Sequence, residues 1–164
     1  MDMVDIVQFL KNEKRVGRSG LRCGEILSLD DAALERCHDY VQFLWPVPEK
    51  SHHNYNAPVL TQAVGEYLIE TGLRGVPLMA WDRFKLFFRY GDWHIRQYWM
   101  QDGDHNLLRL TRIMRCLKLL KFDAEVTELY QELLKSNRAW GYAPQLTLDW
   151  WDKAATDTNW RPLR

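Results

Sequence analysis

Between His105 and Leu120 the chain repeats its apolar residues at a helical interval, and no other stretch constrains the fold as strongly. On a wheel turning about 100° per residue, Leu110, Ile113, Met114 and Leu117 fall to one side. Leu108 and Leu119 fall to the other, and Thr111, Arg115 and Lys118 occupy the sector expected to face water. Between the two apolar flanks lies a stripe of roughly 60° that carries His105, Arg109, Arg112 and Cys116. Arginines flanked by leucines on both sides are not fully hydrated. Each needs a carboxylate, backbone carbonyls or a ligand anion, because an unpaired sheltered charge is costly. Internal pairing with Glu66, Asp82 or Asp92 is one solution, and a ligand anion is the other. The planar guanidinium suits carboxylate or phosphate.

The rest of the chain reads as helices with short links. Ile6, Phe9 and Leu10 mark one face of a first helix over Val4–Lys14, which Gly17 and Gly20 end. Ser28 and Asp31 have capping-box spacing before a helix with Leu34, Cys37, Val41, Leu44 and Trp45 on one face, stopped by Pro46 and Pro48. Thr61 and Gly72 bracket another helix. Pro77 suits the first turn of the next, which bears Leu78, Trp81, Phe84 and Phe88 and closes at Gly91. Asp104 caps the striped helix and Asp123 the one after it, where Val126, Leu129, Tyr130, Leu133 and Leu134 recur at helical spacing. A Trp-rich closing segment occupies 140–164. No run of alternating β-branched residues competes, so one all-α domain of six to eight helices over 1–164 is expected, with Trp45, Trp81 and Leu117 buried.

Composition narrows the function. The chain has 164 residues, 46% of them hydrophobic, with eight Trp, seven Tyr and six Phe, enough for a sizeable core without metal or disulfide. Lys plus Arg is 22 and Asp plus Glu is 22, so the chain lacks the basic field of a nucleic-acid binder. The basic stretch Lys11–Arg22 is broken by Glu13 and reads as a solvated turn. Three distant cysteines form no CxxC pair, the acidic N-terminus is unlike a signal peptide, and no apolar run could span a bilayer. A cytoplasmic domain without membrane insertion is expected.

Established chemical motifs are lacking. His52-His53 and Cys37-His38 are adjacent pairs and not converging metal ligands. There is no HExxH or GxSxG, and Gly17-Arg18-Ser19-Gly20 lacks a Walker lysine. No cofactor or metal is expected. The longest stretch without a period, Val47–Leu60, is a candidate functional loop.

Three stretches together resemble the core domain of the opioid growth factor receptor family. The first runs Leu34-Glu35-Arg36-Cys37-His38-Asp39-Tyr40-Val41-Gln42-Phe43-Leu44-Trp45-Pro46 and is similar to that family's His-x-Tyr-Ile-Gln-Trp-Leu-Phe-Pro signature. The second spans Ser51–Asn54 and Asn56–Thr61. The third, His105-Asn106-Leu107-Leu108-Arg109-Leu110-Thr111-Arg112-Ile113-Met114-Arg115-Cys116-Leu117, is similar to the family's His-Asn and Arg-Ile-Thr-Arg-Ile-Leu pattern. The resemblance covers about 9–134. Phe43 and Trp45 exchange the aromatic sizes of the signature, and Leu110 stands for an Ile. Animal members carry long C-terminal extensions with repeats, and the family name reports binding of an enkephalin-type peptide. The resemblance implies a fold and a candidate surface, with a receptor-like, peptide-binding role by analogy.

If the three motifs meet in space, they form a cleft walled by Tyr40, Trp45 and Tyr55. His38, Gln42, Asn54, His105, Asn106, Arg109 and Arg112 supply its polar groups. A non-enzymatic domain that binds a peptide, a protein or a small anionic ligand is the leading expectation. The alternative is a small enzyme using His38 or His105 as acid–base, with Arg109 and Arg112 as anion clamp.

Overall fold

A striped helix packed on all but one side organises the molecule. The computed structural model describes residues 3–51, 54 and 56–163. Among these residues nine helices form: α1 (Met3–Leu10), α2 (Cys23–Leu27), α3 (Asp31–Arg36), α4 (Val41–Leu44), α5 (Gln62–Thr71), α6 (Gly75–Phe88), α7 (His105–Leu119), α8 (Asp123–Trp140) and α9 (Gln145–Thr156). The fold is all-α and forms one domain. Helix α7 is its axis, with α6, α8 and α9 packed around it, while α4 bridges α1 and α6. Leu110, Ile113, Met114 and Leu117 of α7 are fully buried, as are Trp45, Trp81 and Trp151. Burying such side chains is worth about 1.5–3 kcal/mol each and drives the assembly.

Local rules account for most helix ends. Thr61 accepts from Val64 N–H, and Asp104 accepts from Asn106 N–H, both as N-caps. Gly72 ends α5 in the left-handed region at φ 78°, where a Cβ would be strained. Three expectations fail locally. Asp30, not Ser28, caps α3 by accepting from Ala33 N–H, because Ser28 Oγ instead donates to the Gly24 carbonyl. Phe122 occupies the N-cap of α8, and Asp123 sits one residue inside it, 2.9 Å from Lys118 Nζ. Arg89, at φ 54°, ends α6 before Gly91 is reached.

The largest departure lies between Leu34 and Trp45, where one helix was expected and two short ones form. The chain turns away from helix at Cys37, with ψ 128°. The carbonyls that a continuing helix would use are taken by tertiary donors: Tyr40 Oη and Arg109 Nη2 both donate to Leu34 O, and Arg109 Nη2 also donates to Cys37 O. The Asp39 carboxylate accepts from the N–H groups of Arg18 and Ser19 and holds the break against the 17–20 turn. That turn is pinned rather than free: Arg15 pairs with Glu25, and Lys14 with Asp5.

After α9 the chain curls back over α7 and α5. Trp160 lies against Gly65, where a Cβ would come within 2.1 Å of the indole ring. We expect Gly65→Ala to lose stability despite a gain of about 1 kcal/mol in helix propensity, because displacing the ring costs about 1–3 kcal/mol. A lower melting temperature with red-shifted tryptophan emission would show this. An unchanged or raised midpoint would contradict it.

Candidate functional site

Alongside α7 lies a cleft of about 550 Å³. Helix α4 and the segment around Val47–Glu49 form one side, and Thr147 and Trp150 of α9 with Leu163 form the other. From α7 itself come His105, Leu108, Arg109, Thr111, Arg112 and Arg115. The open face of the helix is therefore turned roughly 50° from the expected stripe. Leu108, expected to pack, is 73% exposed at the mouth, and Cys116, in the stripe, is fully buried.

The three arginines spaced by three residues share one task and differ in what remains free. Arg109 is buried, its guanidinium 5.8 Å from the Tyr40 ring centre. It donates to Leu34 O and Cys37 O, where α3 ends, and to Asn106 Oδ1, and lies 4.0 Å from Glu35. Arg112 donates through Nε to Trp45 O, where α4 ends. Arg115, expected in solvent, is 1% exposed. It pairs with Glu49 at 3.2 Å and donates to the carbonyl of Asp157, where α9 ends, and to those of Asn159 and Arg161 in the tail that follows. A cation at a helix C-terminus satisfies orphan carbonyls and the helix dipole together. Neither Arg109 nor Arg112 reaches Glu66, Asp82 or Asp92. Glu66 is held by Gln62 and Asp82 by Lys85.

Arg112 is the incompletely satisfied member. Among the described residues no carboxylate pairs with it, and its terminal N–H groups make no hydrogen bond. Burial pulls its pKa down to about 10, with Cys116 and Glu49 only partly opposing.

A polar cluster closes the α3 end of the cleft. Glu35 accepts from Tyr98 Oη at 2.9 Å and from Asn106 Nδ2 at 3.2 Å. Burial alone would raise its pKa, but these two hydrogen bonds, with His105 and Arg109 nearby, leave it lowered. His105 Nε2 lies 2.9 Å from Glu35 Oε1, off the line of a hydrogen bond, so this buried nitrogen has no hydrogen-bond partner among the described residues. The His38 ring meets His105 edge-on at 4.8 Å between centres. Burial, then the neighbouring Arg109 and His105, hold the His38 imidazole below the ordinary histidine range, against Glu35 and Asp39.

Of the ten residues singled out from sequence, His38, Gln42, His105, Arg109 and Arg112 line the cleft. Asn54 reaches it indirectly: its Nδ2 donates to Gln42 Oε1, and Gln42 Nε2 donates to Ser51 Oγ. Asn106 is fully buried behind Glu35. Tyr40 and Trp45 are core residues rather than walls. The phenol of Tyr40 is spent on Leu34 O and the indole of Trp45 on Pro77 O. Tyr55, with His52 and His53, lies outside the described residues. Sequence reasoning missed Glu49, Thr147, Trp150, Arg115 and Leu163. Only the Trp pair at 150–151 carried a signal: Trp151 is buried and Trp150 faces the cleft.

No group of three or more His, Cys, Asp or Glu among the described residues could hold a metal ion. No helix of the described residues is long and apolar enough to cross a membrane.

No family model matches the sequence, and no solved structure matches it. Curated proteins that are similar include two of the same name. Opioid growth factor receptor-like protein 1 of Mus musculus is 26% identical over 143 residues, covering 78% of this chain and 31% of that protein. Its namesake in Rattus norvegicus is 25% identical over the same length and shares. The chain thus spans about a third of the curated relatives it matches, and this remote similarity points to the family that the three motifs resemble.

Proposed function

We propose that this chain is a non-enzymatic binding domain whose cleft along α7 takes a short peptide with an anionic group. The observation that carries the reading is Arg112, a sheltered guanidinium tied down among the described residues at Nε alone, with its terminal donors open to a cleft walled by Val41, Val47, Leu108 and Trp150. A cleft of about 550 Å³ is of ligand size. An unpaired charge in such a place favours an anion from outside, because a ligand acceptor would replace the hydration the site withholds. From His105 to Arg115 the helix runs about 15 Å, the span of four or five extended residues. The arginines here already bind main-chain carbonyls, which is how a peptide backbone would be read. The receptor-like name of the similar mouse and rat proteins is consistent with a binding role.

The test is an array of hexapeptides rich in acidic and aromatic residues, probed with the wild-type chain and with Arg112→Gln. Loss of one charge-assisted contact costs about 1.5–3 kcal/mol, a drop of roughly tenfold or more in affinity. Stability should fall by only about 1 kcal/mol, since a single hydrogen bond to Trp45 O is removed. An array on which no peptide distinguishes the two proteins would end this reading.

A further inference from the structure

We propose that the His38 end of the cleft is a proton-linked subsite for an oxyanion, in which His38 gains a proton as the anion binds. The inference rests on the binding reading above and adds what kind of group is recognised and how.

His38 lines the cleft, and among the described residues its ring makes no hydrogen bond, only the edge contact with His105. Among the described residues the acids near it, Glu35, Asp39 and Glu49, are engaged elsewhere. Glu35 faces it from α3 but accepts from Tyr98 and Asn106 and lies against His105 and Arg109. Asp39, next in the chain, is turned to the N–H groups of Arg18 and Ser19. Glu49, further along the same cleft, holds Arg115 and the Leu163 N–H. From α7, Arg109 and His105 face the imidazole, and Arg112 opens into the same space. An unbonded imidazole beside a guanidinium, with the nearby carboxylates spoken for, is neutral while the cleft is empty. An anion entering this space supplies the missing opposite charge. It accepts from the His38 N–H and from the terminal donors of Arg112, and it favours the charged ring.

The sign follows from linkage. The pKa of His38 is low in the free protein and higher with the anion bound, so binding takes up a proton. The added affinity is complete below the free pKa and is lost as pH rises through the bound pKa. Between the two, affinity falls by roughly tenfold per pH unit.

The experiment uses sulfate, whose charge is constant from pH 5.5 to 8, and an acidic hexapeptide selected on the array. Imidazole proton resonances are followed against pH with and without each probe. His38 should titrate at least about one unit higher with a saturating probe. Response to sulfate means that the free anion suffices, and response to the peptide alone means that the group must be presented on a chain. Both support the subsite. In wild-type protein affinity should rise as pH falls, whereas His38→Asn should bind more weakly and without that slope. Arg112-dependent binding with an unmoved His38 would overturn this proposal and leave the binding reading intact. No binding of either probe would overturn both.

Discussion

Replacing Arg115 by Gln is expected to cost about 3 kcal/mol and to release the end of the chain. The guanidinium is 1% exposed and holds Glu49 together with the carbonyls of Asp157, Asn159 and Arg161. Gln cannot span these partners. Glu49 would be left beside a buried vacancy, still accepting from the N–H of Leu163. Breaking a buried pair by deleting one partner costs about 3–5 kcal/mol. The lower end applies here because Glu49 is 31% exposed and can regain water. For a chain of this size the loss corresponds to a fall of roughly 6–12 °C in Tm. Chymotrypsin should also cleave after Trp160, in the released tail, much faster than in the wild type. A melting temperature within a degree or two of wild type would show that the tail is held by something else, Trp160 against Gly65 being the nearest alternative.

Arg109→Gln should be comparably severe, at about 3 kcal/mol, and this separates two arginines that look equivalent in the sequence. Arg109 fastens the end of α3 to α7 through Leu34 O and Cys37 O, and it lies beside Glu35. Removing it strands the Cys37 carbonyl, leaves Leu34 O to Tyr40 Oη alone, and weakens the compensation of a partly buried carboxylate. Chemical unfolding of the Arg109 and Arg112 variants side by side is the direct measurement. A loss at 109 several times that at 112 is expected. Equal, small losses at both would mean that Arg109 is a second free ligand donor rather than a fastening.

How much of this was legible in the sequence varies from element to element. The period of α7 and α8, the caps at Thr61 and Asp104, the stop at Gly72 and the burial of Trp45, Trp81 and Leu117 all follow from local pattern. They do so because helix hydrogen bonds close within four residues, and a side chain's face is set by its own backbone. The three motifs likewise located much of the cleft: five of the ten residues singled out line it.

What the tertiary structure decided depends on partners distant in the chain. The break at Cys37 exists because Arg109, 72 residues away, takes the carbonyl a longer helix would have used. Arg115 looked solvent-facing on the wheel, which knows nothing of a tail 42 to 46 residues further on that curls around its guanidinium. Covering that sector moved the open face of α7 toward Leu108, which left a leucine in water and an arginine in the core. Tyr40 and Trp45 were drawn inward because their polar tips found the carbonyls of Leu34 and Pro77. Sequence alone set where most helices form and which of their faces carry apolar side chains. Which arginine remained free was settled only by the supply of carbonyls and carboxylates, because a sheltered guanidinium is satisfied by whatever acceptors the packing happens to bring within 3 Å or so.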